Sequence, residues 1–183
     1  MNHSCAPNVF HRHNYLLRRL TIHALRDIQP GEEIYTSYID ICHPTPERRR
    51  LLRHWGFKCR CSACTSPAPG SDLRRKALEE STARMKRNES KRPMEGWQQW
   101  DYAKALSSIE EIIGLMQEEG MSESDTVGEA YQNAAEYAMA LGWWDNAREW
   151  AGMALQIEEK CLGRDSPEYE KARALWEAAK QEK

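Results

Sequence analysis

The sequence predicts an α+β protein, with a β-bearing first third and a second part built of helices alone. Three observations predict this. Between residues 15 and 39, apolar residues alternate with polar ones at the two-residue period of strands. Three cysteines crowd into CRCSAC at 59–64. Beyond TSPAPGS (65–71), a turn-forming stretch, the composition shifts to Ala, Glu, Lys, Leu, Gln and Trp, the vocabulary of helices. The domains expected are 1–66 and 71–183, with 67–70 as linker.

The β part is read first. YLLRRLTIHALRDI, from Tyr15, puts Leu20, Ile22 and Ala24 on one face, and IYTSYI (34–39) is a second β-rich run. QPGEE between them is a turn signal, so a hairpin or a pair of neighbouring strands is expected. HPTPERRRLLRHWGF then predicts a short helix with Thr45 as N-cap, Pro46 at the first helical position and Gly56 as the stop. It delivers Phe57 to the cysteines. The arginines at 48–50 and 53 read as its solvated face. No basic patch interleaved with aromatics accompanies them, so nucleic acid is not an expected partner.

The second part predicts helices near 71–88, 97–119, 127–141, 144–161 and 166–181, broken at KRPMEG, EGMSESD, LGWWD and LGRDSP. Counting from Tyr131, the chain places Ala134, Ala135, Ala138, Gly142, Trp144, Ala147, Ala154 and Leu155 at the spacings of a tetratricopeptide repeat. Small residues fall where paired helices touch, and Gly falls at the turn. A TPR-like hairpin over 127–161, flanked by further helices, is the expected arrangement.

Composition sets outer limits. A chain of 183 residues can bury a real core. A hydrophobic fraction of 40% with seven tryptophans argues against disorder, despite a mean hydropathy of −0.81. No apolar run approaches the ~20 residues of a bilayer span, and no secretory signal pattern is seen. The expectation is a protein of nucleus or cytoplasm without a membrane partner. Net charge is −2, yet residues 1–66 hold ten Lys and Arg against five Asp and Glu, so the remainder is acidic.

Six cysteines lie at 5, 42, 59, 61, 64 and 161. Cys59, Cys61 and Cys64 form C-x-C-x2-C, and thiols spaced so closely can give zinc three of its four tetrahedral ligands. Spacing leaves the fourth open among Cys5, Cys42, Cys161 and the six histidines.

NHSCAPN (2–8), then GEEIYTSYID, then FKCRCSAC occur in an order that resembles the C-terminal part of a SET domain with its post-SET segment. The version most similar is that of the SET and MYND domain family, in which a TPR-like helical domain follows. The resemblance implies a partial SET β-fold with a post-SET zinc cluster. It also implies a protein lysine methyltransferase that uses S-adenosylmethionine, acting on a lysine side chain of a protein, with histones among the candidates. By the same resemblance Cys5 completes the zinc site with Cys59, Cys61 and Cys64, leaving Cys42 and Cys161 out. Asn2 and His3 contact the methionine and adenosine parts of the cofactor, Phe57 packs on the adenine, and Tyr38 is the active-site tyrosine. Such chemistry needs alignment and a neutral amine rather than a strong nucleophile on the protein.

One family feature has no counterpart in the sequence. None of the ten glycines forms Gly-x-Gly, the loop that completes the cofactor site in the first half of a SET domain. The sequence therefore leads us to expect a fragment, or a chain inactive alone. The alternative is a non-catalytic interaction module, with the TPR-like helices binding a peptide and a structural zinc site bracing the first part.

Overall fold

The computed structural model describes residues 1–89, 100–121 and 124–181. Four short strands open the chain: β1 (Asn2–His3), β2 (Val9–Asn14), β3 (Arg19–Ala24) and β4 (Tyr35–Thr36). Helix α1 (Thr45–Leu52) runs into a 3-10 turn, Arg53–Trp55, and α2 (Ser62–Thr65) carries the end of the cysteine motif. Five longer helices follow: α3 (Ser71–Glu89), α4 (Tyr102–Glu118), α5 (Asp125–Ala140), α6 (Trp144–Leu162) and α7 (Pro167–Gln181). The protein is thus a mixed fold with a small β portion and a helical majority.

β3 and β4 form within the alternating stretches, but they do not pair with each other; each pairs with a strand from the first fourteen residues. β3 pairs antiparallel with β2, from Val9 opposite Ala24 to Asn14 opposite Arg19. β4 pairs in parallel with β1, Asn2 opposite Tyr35 and His3 opposite Thr36. The local reason is Asn14. Its side-chain oxygen accepts from the N–H groups of Leu16 and Leu17, both at 3.0 Å, and Arg18 adopts a left-handed φ of 52°. This Asx-type turn folds β3 back onto β2. The face shared by Leu20 and Ile22 is exposed (58% and 50%), whereas His23 is half-buried, its ring against Gly163. A side chain at Gly163 would put its Cβ 2.7 Å from the His23 ring.

Helix α1 starts one residue earlier than its capping pattern suggests. Pro44 is the N-cap, and the Thr45 N–H is satisfied from outside by Asp72 Oδ1 at 2.8 Å. Gly56 ends the following turn in the left-handed conformation as expected. In the helical part, Asp101 accepts from the Lys104 N–H at 3.0 Å, and Ser124 from that of Val127 at 3.3 Å. Each supplies an acceptor to an N–H left open by helix geometry. The expected first turn of α4, at 97–99, and the KRPMEG break lie outside the described residues.

Packing follows the apolar periods. Leu106, Ile109, Ile113 and Met116 recur at three- and four-residue steps along α4 and meet Val127, Tyr131, Ala134 and Tyr137 of α5 in the main core. The small residues do what their spacing suggests. Ala134 packs with Ala154 and Ala172, while Ala138, Ala147 and Ala179 form a second cluster, all at zero exposure. Helices α5 and α6 form a hairpin that turns at Leu141–Trp143, with Gly142 at φ 74°.

Two contacts join the β portion to the helices. Glu119, at the end of α4, has a side chain only 2% exposed. It accepts from Ser71 Oγ (2.6 Å), Arg74 Nε (2.7 Å) and Arg75 Nε (2.8 Å), while Arg75 Nη1 also donates to the carbonyl of Ile41. On the other side, the β2–β3 hairpin packs Phe10 and Leu25 on Cys161 and Leu162 of α6. Asn14 Nδ2 donates to the Asp165 carbonyl at 3.0 Å.

Two stability outcomes follow. Gly142→Val should cost about 1–2 kcal/mol from the left-handed φ, since a Cβ there meets nothing within 4 Å. Gly142→Asn should cost less, and urea denaturation read by circular dichroism measures both. Glu119→Gln leaves Arg75 buried without its counter-charge and should cost about 3 kcal/mol by the same measurement.

Candidate metal centre and cofactor cleft

The parallel pair β1–β4 brings the first residues of the chain against residues 35–38. The Ser4 N–H donates to the Thr36 carbonyl at 2.9 Å. Asn8, 1% exposed, fastens the crossing: Nδ2 donates to Glu32 Oε1 (3.0 Å) and to the Glu33 carbonyl (2.9 Å), and Oδ1 accepts from the Tyr35 N–H (2.8 Å). A buried amide with every partner supplied fixes register as well as energy.

Cys5 therefore arrives beside α2. Its Sγ and those of Cys59, Cys61 and Cys64 all lie within 4.8 Å of one another, and the Cys5 and Cys64 sulfurs are 3.6 Å apart. Zn–S bonds near ~2.3 Å make a tetrahedron with edges of about 3.8 Å, so the donor set fits zinc. All six cysteines are free thiols. Cys42 packs against the helical core and Cys161 against Leu25, away from the four.

The thiols are electrostatically unequal. Burial, then the neighbouring thiols, push the Cys5 thiol up; burial also leads the upward shift of Cys59. Cys61 is also opposed by burial, but hydrogen bonds from Cys59, the Cys5 backbone, Cys64 and Ser4 bring it down to about 7. A cluster of this kind gives up one proton readily and holds the next. A divalent cation supplies the charge that removes the others.

His3 links this centre to the cleft beside it. The ring is 7% exposed, and burial, followed by the charge of Arg48, lowers its pKa, so it is neutral near pH 7. Nδ1 accepts from the Tyr38 N–H at 3.1 Å, which leaves the ring proton on Nε2, facing Cys5 Sγ at 3.3 Å. Around it stand aromatic rings: Tyr38 at 5.4 Å and Phe57 at 5.8 Å between centroids. Tyr38 and Phe57 meet edge to face at 6.3 Å.

These residues line an open cleft of about 670 Å³. Asn2 sits at its rim, donating to Glu33 Oε1 at 2.6 Å. The Glu33 carboxyl is held below its usual value, first by Tyr35 Oη (2.7 Å) and then by Asn2. Glu32 is brought down to about 2, by Arg26 first and Asn8 second. Tyr38 Oη donates to the Met1 carbonyl at 2.5 Å. Every residue the resemblance singles out is therefore in the cleft wall or in the thiol cluster, and the two are continuous through His3.

Three contributors escaped the sequence reading. Trp55 lies tilted against the Tyr38 ring, 4.7 Å between centroids, and its place in HWGF, two residues before Phe57, is the signal that could have found it. Asn8 stood unassigned in the opening motif. Arg48, read as part of a solvated face, is wholly buried. Its guanidinium donates to the carbonyls of His43 and Ala63, so α1 turns that residue inward against α2 while Arg50 pairs with Glu47 outside.

Removing the metal should loosen the joint between β1 and α2. Cys61→Ser should lower zinc content and raise amide exchange over 57–66 at least tenfold relative to zinc-loaded protein, as read by elemental analysis and hydrogen–deuterium exchange.

Comparison with known proteins bears on both features. A SET domain family model matches residues 1–39. Histone-lysine N-methyltransferase set5 of Schizosaccharomyces pombe is 52% identical over 83 residues, 43% of this chain and 26% of that protein. N-lysine methyltransferase SMYD2 of Homo sapiens is 45% identical over 67 residues, 36% of this chain and 15% of its own length. The Gallus gallus SMYD2 is 46% identical over 66 residues. The chain thus spans about a quarter or less of these relatives. Its first 39 residues are SET-domain sequence, and the chain is similar to SET and MYND domain lysine methyltransferases.

Proposed function

We propose that the chain carries one wall of the active site of a protein lysine methyltransferase, with structural zinc on Cys5, Cys59, Cys61 and Cys64. The observation that carries this reading is the convergence of His3, Tyr38 and Phe57, from three separated segments, in one cleft beside the thiols. S-adenosylmethionine, when bound, supplies a methyl group on a sulfonium centre. The residues of the chain bind and align. Phe57, 38% exposed, offers its face to the adenine, and Asn2 and the backbone beside His3 offer hydrogen bonds to the polar parts. Tyr38 and Trp55 form an aromatic wall along which a neutral lysine amine reaches the methyl group in line and out of bulk water. The substrate is a lysine side chain of a protein, and the name of the fission-yeast relative makes histones the first to test.

Because the matched stretches make up only 26% and 15% of these relatives, our reading assigns the opposite wall of the cleft to sequence outside these 183 residues. The isolated chain should bind S-adenosylmethionine weakly and transfer no methyl group. Alignment contributes about 7–11 kcal/mol in favourable cases, and an angstrom of misplacement costs ~100-fold. Calorimetric titration and radiolabelled transfer to histones test this. Transfer by the isolated chain that disappears on Tyr38→Phe would overturn the half-site. Supplying the complementary SET segment of a relative should restore binding, with Phe57→Ala weakening it at least tenfold. A complemented chain that binds no cofactor would overturn the enzyme reading.

A separate observation favours a second role. The loop Asp40–His43 and helices α3, α4 and α5 enclose a groove of about 350 Å³. Leu78, Ile109, Ile112 and Met116 line it, with Glu79 and Glu129 also in its wall. It suits a peptide partner of the helical domain. Peptide binding without cofactor binding by the complemented chain would make this the principal function.

A further inference from the structure

Arg48 is the largest side chain in the described structure with no solvent exposure. Isolating a guanidinium from water is costly unless an opposite charge compensates. Its acceptors are neutral: the His43 carbonyl at 2.5 Å, Thr45 Oγ1 at 2.9 Å and the Ala63 carbonyl at 3.1 Å. Nε meets no acceptor. Among the described residues no carboxylate is hydrogen-bonded to it; Asp72, which accepts from the Thr45 N–H, meets its charge only through space. Hydrogen bonding alone thus leaves the charge of this group uncompensated.

The thiol cluster lies alongside. Ala63 directly precedes Cys64, and one turn along α1 from Arg48, Leu52 packs on Cys5, Cys59 and Cys64. Arg49 donates to the Cys64 carbonyl at 3.4 Å. Four thiolates outweigh the charge of a divalent cation, so the filled centre is anionic and sits in a buried, weakly screening environment.

We propose that Arg48 is the counter-charge of the metal centre, a positioning residue that holds α2 through the Ala63 carbonyl and offsets the excess negative charge of the metal-thiolate cluster. The proposal rests on the zinc reading above. Asp72 offsets part of the Arg48 charge through space and the anionic cluster the rest, while the guanidinium in turn makes four ionised thiols tolerable. Outer-shell partners of metal sites typically change affinity by 10–100-fold when removed.

The test uses the full 183-residue chain and cobalt(II), whose thiolate charge-transfer absorption reports the centre directly, titrated against a chelator of known affinity. Arg48→Met keeps the length and removes the charge; it should weaken cobalt binding by about 10–100-fold. Arg48→Lys keeps the charge and should lose several-fold less than Arg48→Met. Leu106→Ala, in the helical core, lowers stability away from the site and should leave cobalt affinity within about twofold of the parent chain. Each variant is also unfolded in urea with metal bound and removed, and Arg48→Met should lose more stability in the loaded state. Wild-type cobalt affinity in Arg48→Met would overturn the proposal. So would equal losses in Arg48→Lys and Arg48→Met, or an equal loss in Leu106→Ala. Absence of a thiolate–cobalt band in the unsubstituted chain is a different failure. It overturns the metal centre itself, and with it the role of Arg48.

Discussion

The β1–β4 pairing and the cleft beside it depend on one closure, the meeting of Cys5 with Cys59, Cys61 and Cys64. The β1–β4 sheet has two residues per strand, and a two-stranded ribbon is marginal even when longer. The sulfurs of Cys5 and Cys64 belong to residues 59 positions apart. A metal ion shared by the four thiols would cross-link a loop of that size, worth about 4 kcal/mol in the chain-entropy account. The cleft inherits its geometry from the closure, because His3 is two residues from Cys5 and Phe57 two residues from Cys59. Tyr38 is then oriented by its N–H bond to the His3 ring. The thiol cluster is thus placed to brace the cleft, whose aromatic walls begin two residues away from it.

The attachment to the helices uses different physics on its two sides. The hairpin docks through apolar contact with α6, which tolerates small displacements. The Glu119 network is a buried charge cluster, and its worth lies in geometry more than in energy, since desolvation consumes much of the attraction. With Arg75 bonded both to Glu119 and to the Ile41 carbonyl, the loop leading away from Tyr38 is referenced to α3 and α4. The aromatic wall and the helical groove consequently draw on the same segment, 38–43.

The helices were legible because their signals are local: a helix-forming composition, small residues at repeat spacing, Gly142 at a turn; the caps Asp101 and Ser124 went unread, and α4 starts at Tyr102 rather than near 97. The cysteine triplet was legible as a metal knuckle for the same reason. Strand pairing was not. VFHRHN, with four polar residues out of six, carries no alternation that would mark β2, and its role as partner of β3 follows from the Asn14 turn. The parallel pairing of β1 with β4 joins segments over thirty residues apart, and no local pattern encodes it. Cys5 as the fourth thiol emerged only through the family resemblance. Arg48 was misread because four arginines on one short helix look like a wet surface. Which of them turns inward is decided by where α2 comes to rest.

The seating of the β2–β3 hairpin on α6 carries an evolutionary consequence. Phe10 and Leu25 share one apolar cluster with Cys161 and Leu162, and the ring of His23 fills the space a side chain at Gly163 would need. The tight spot at Gly163 couples the two sides of this seam, so the helical portion is not a freely exchangeable module. Lineages that remodel the helices for a new partner should show compensating changes at positions 10, 23 and 25, deep in the SET-derived sequence.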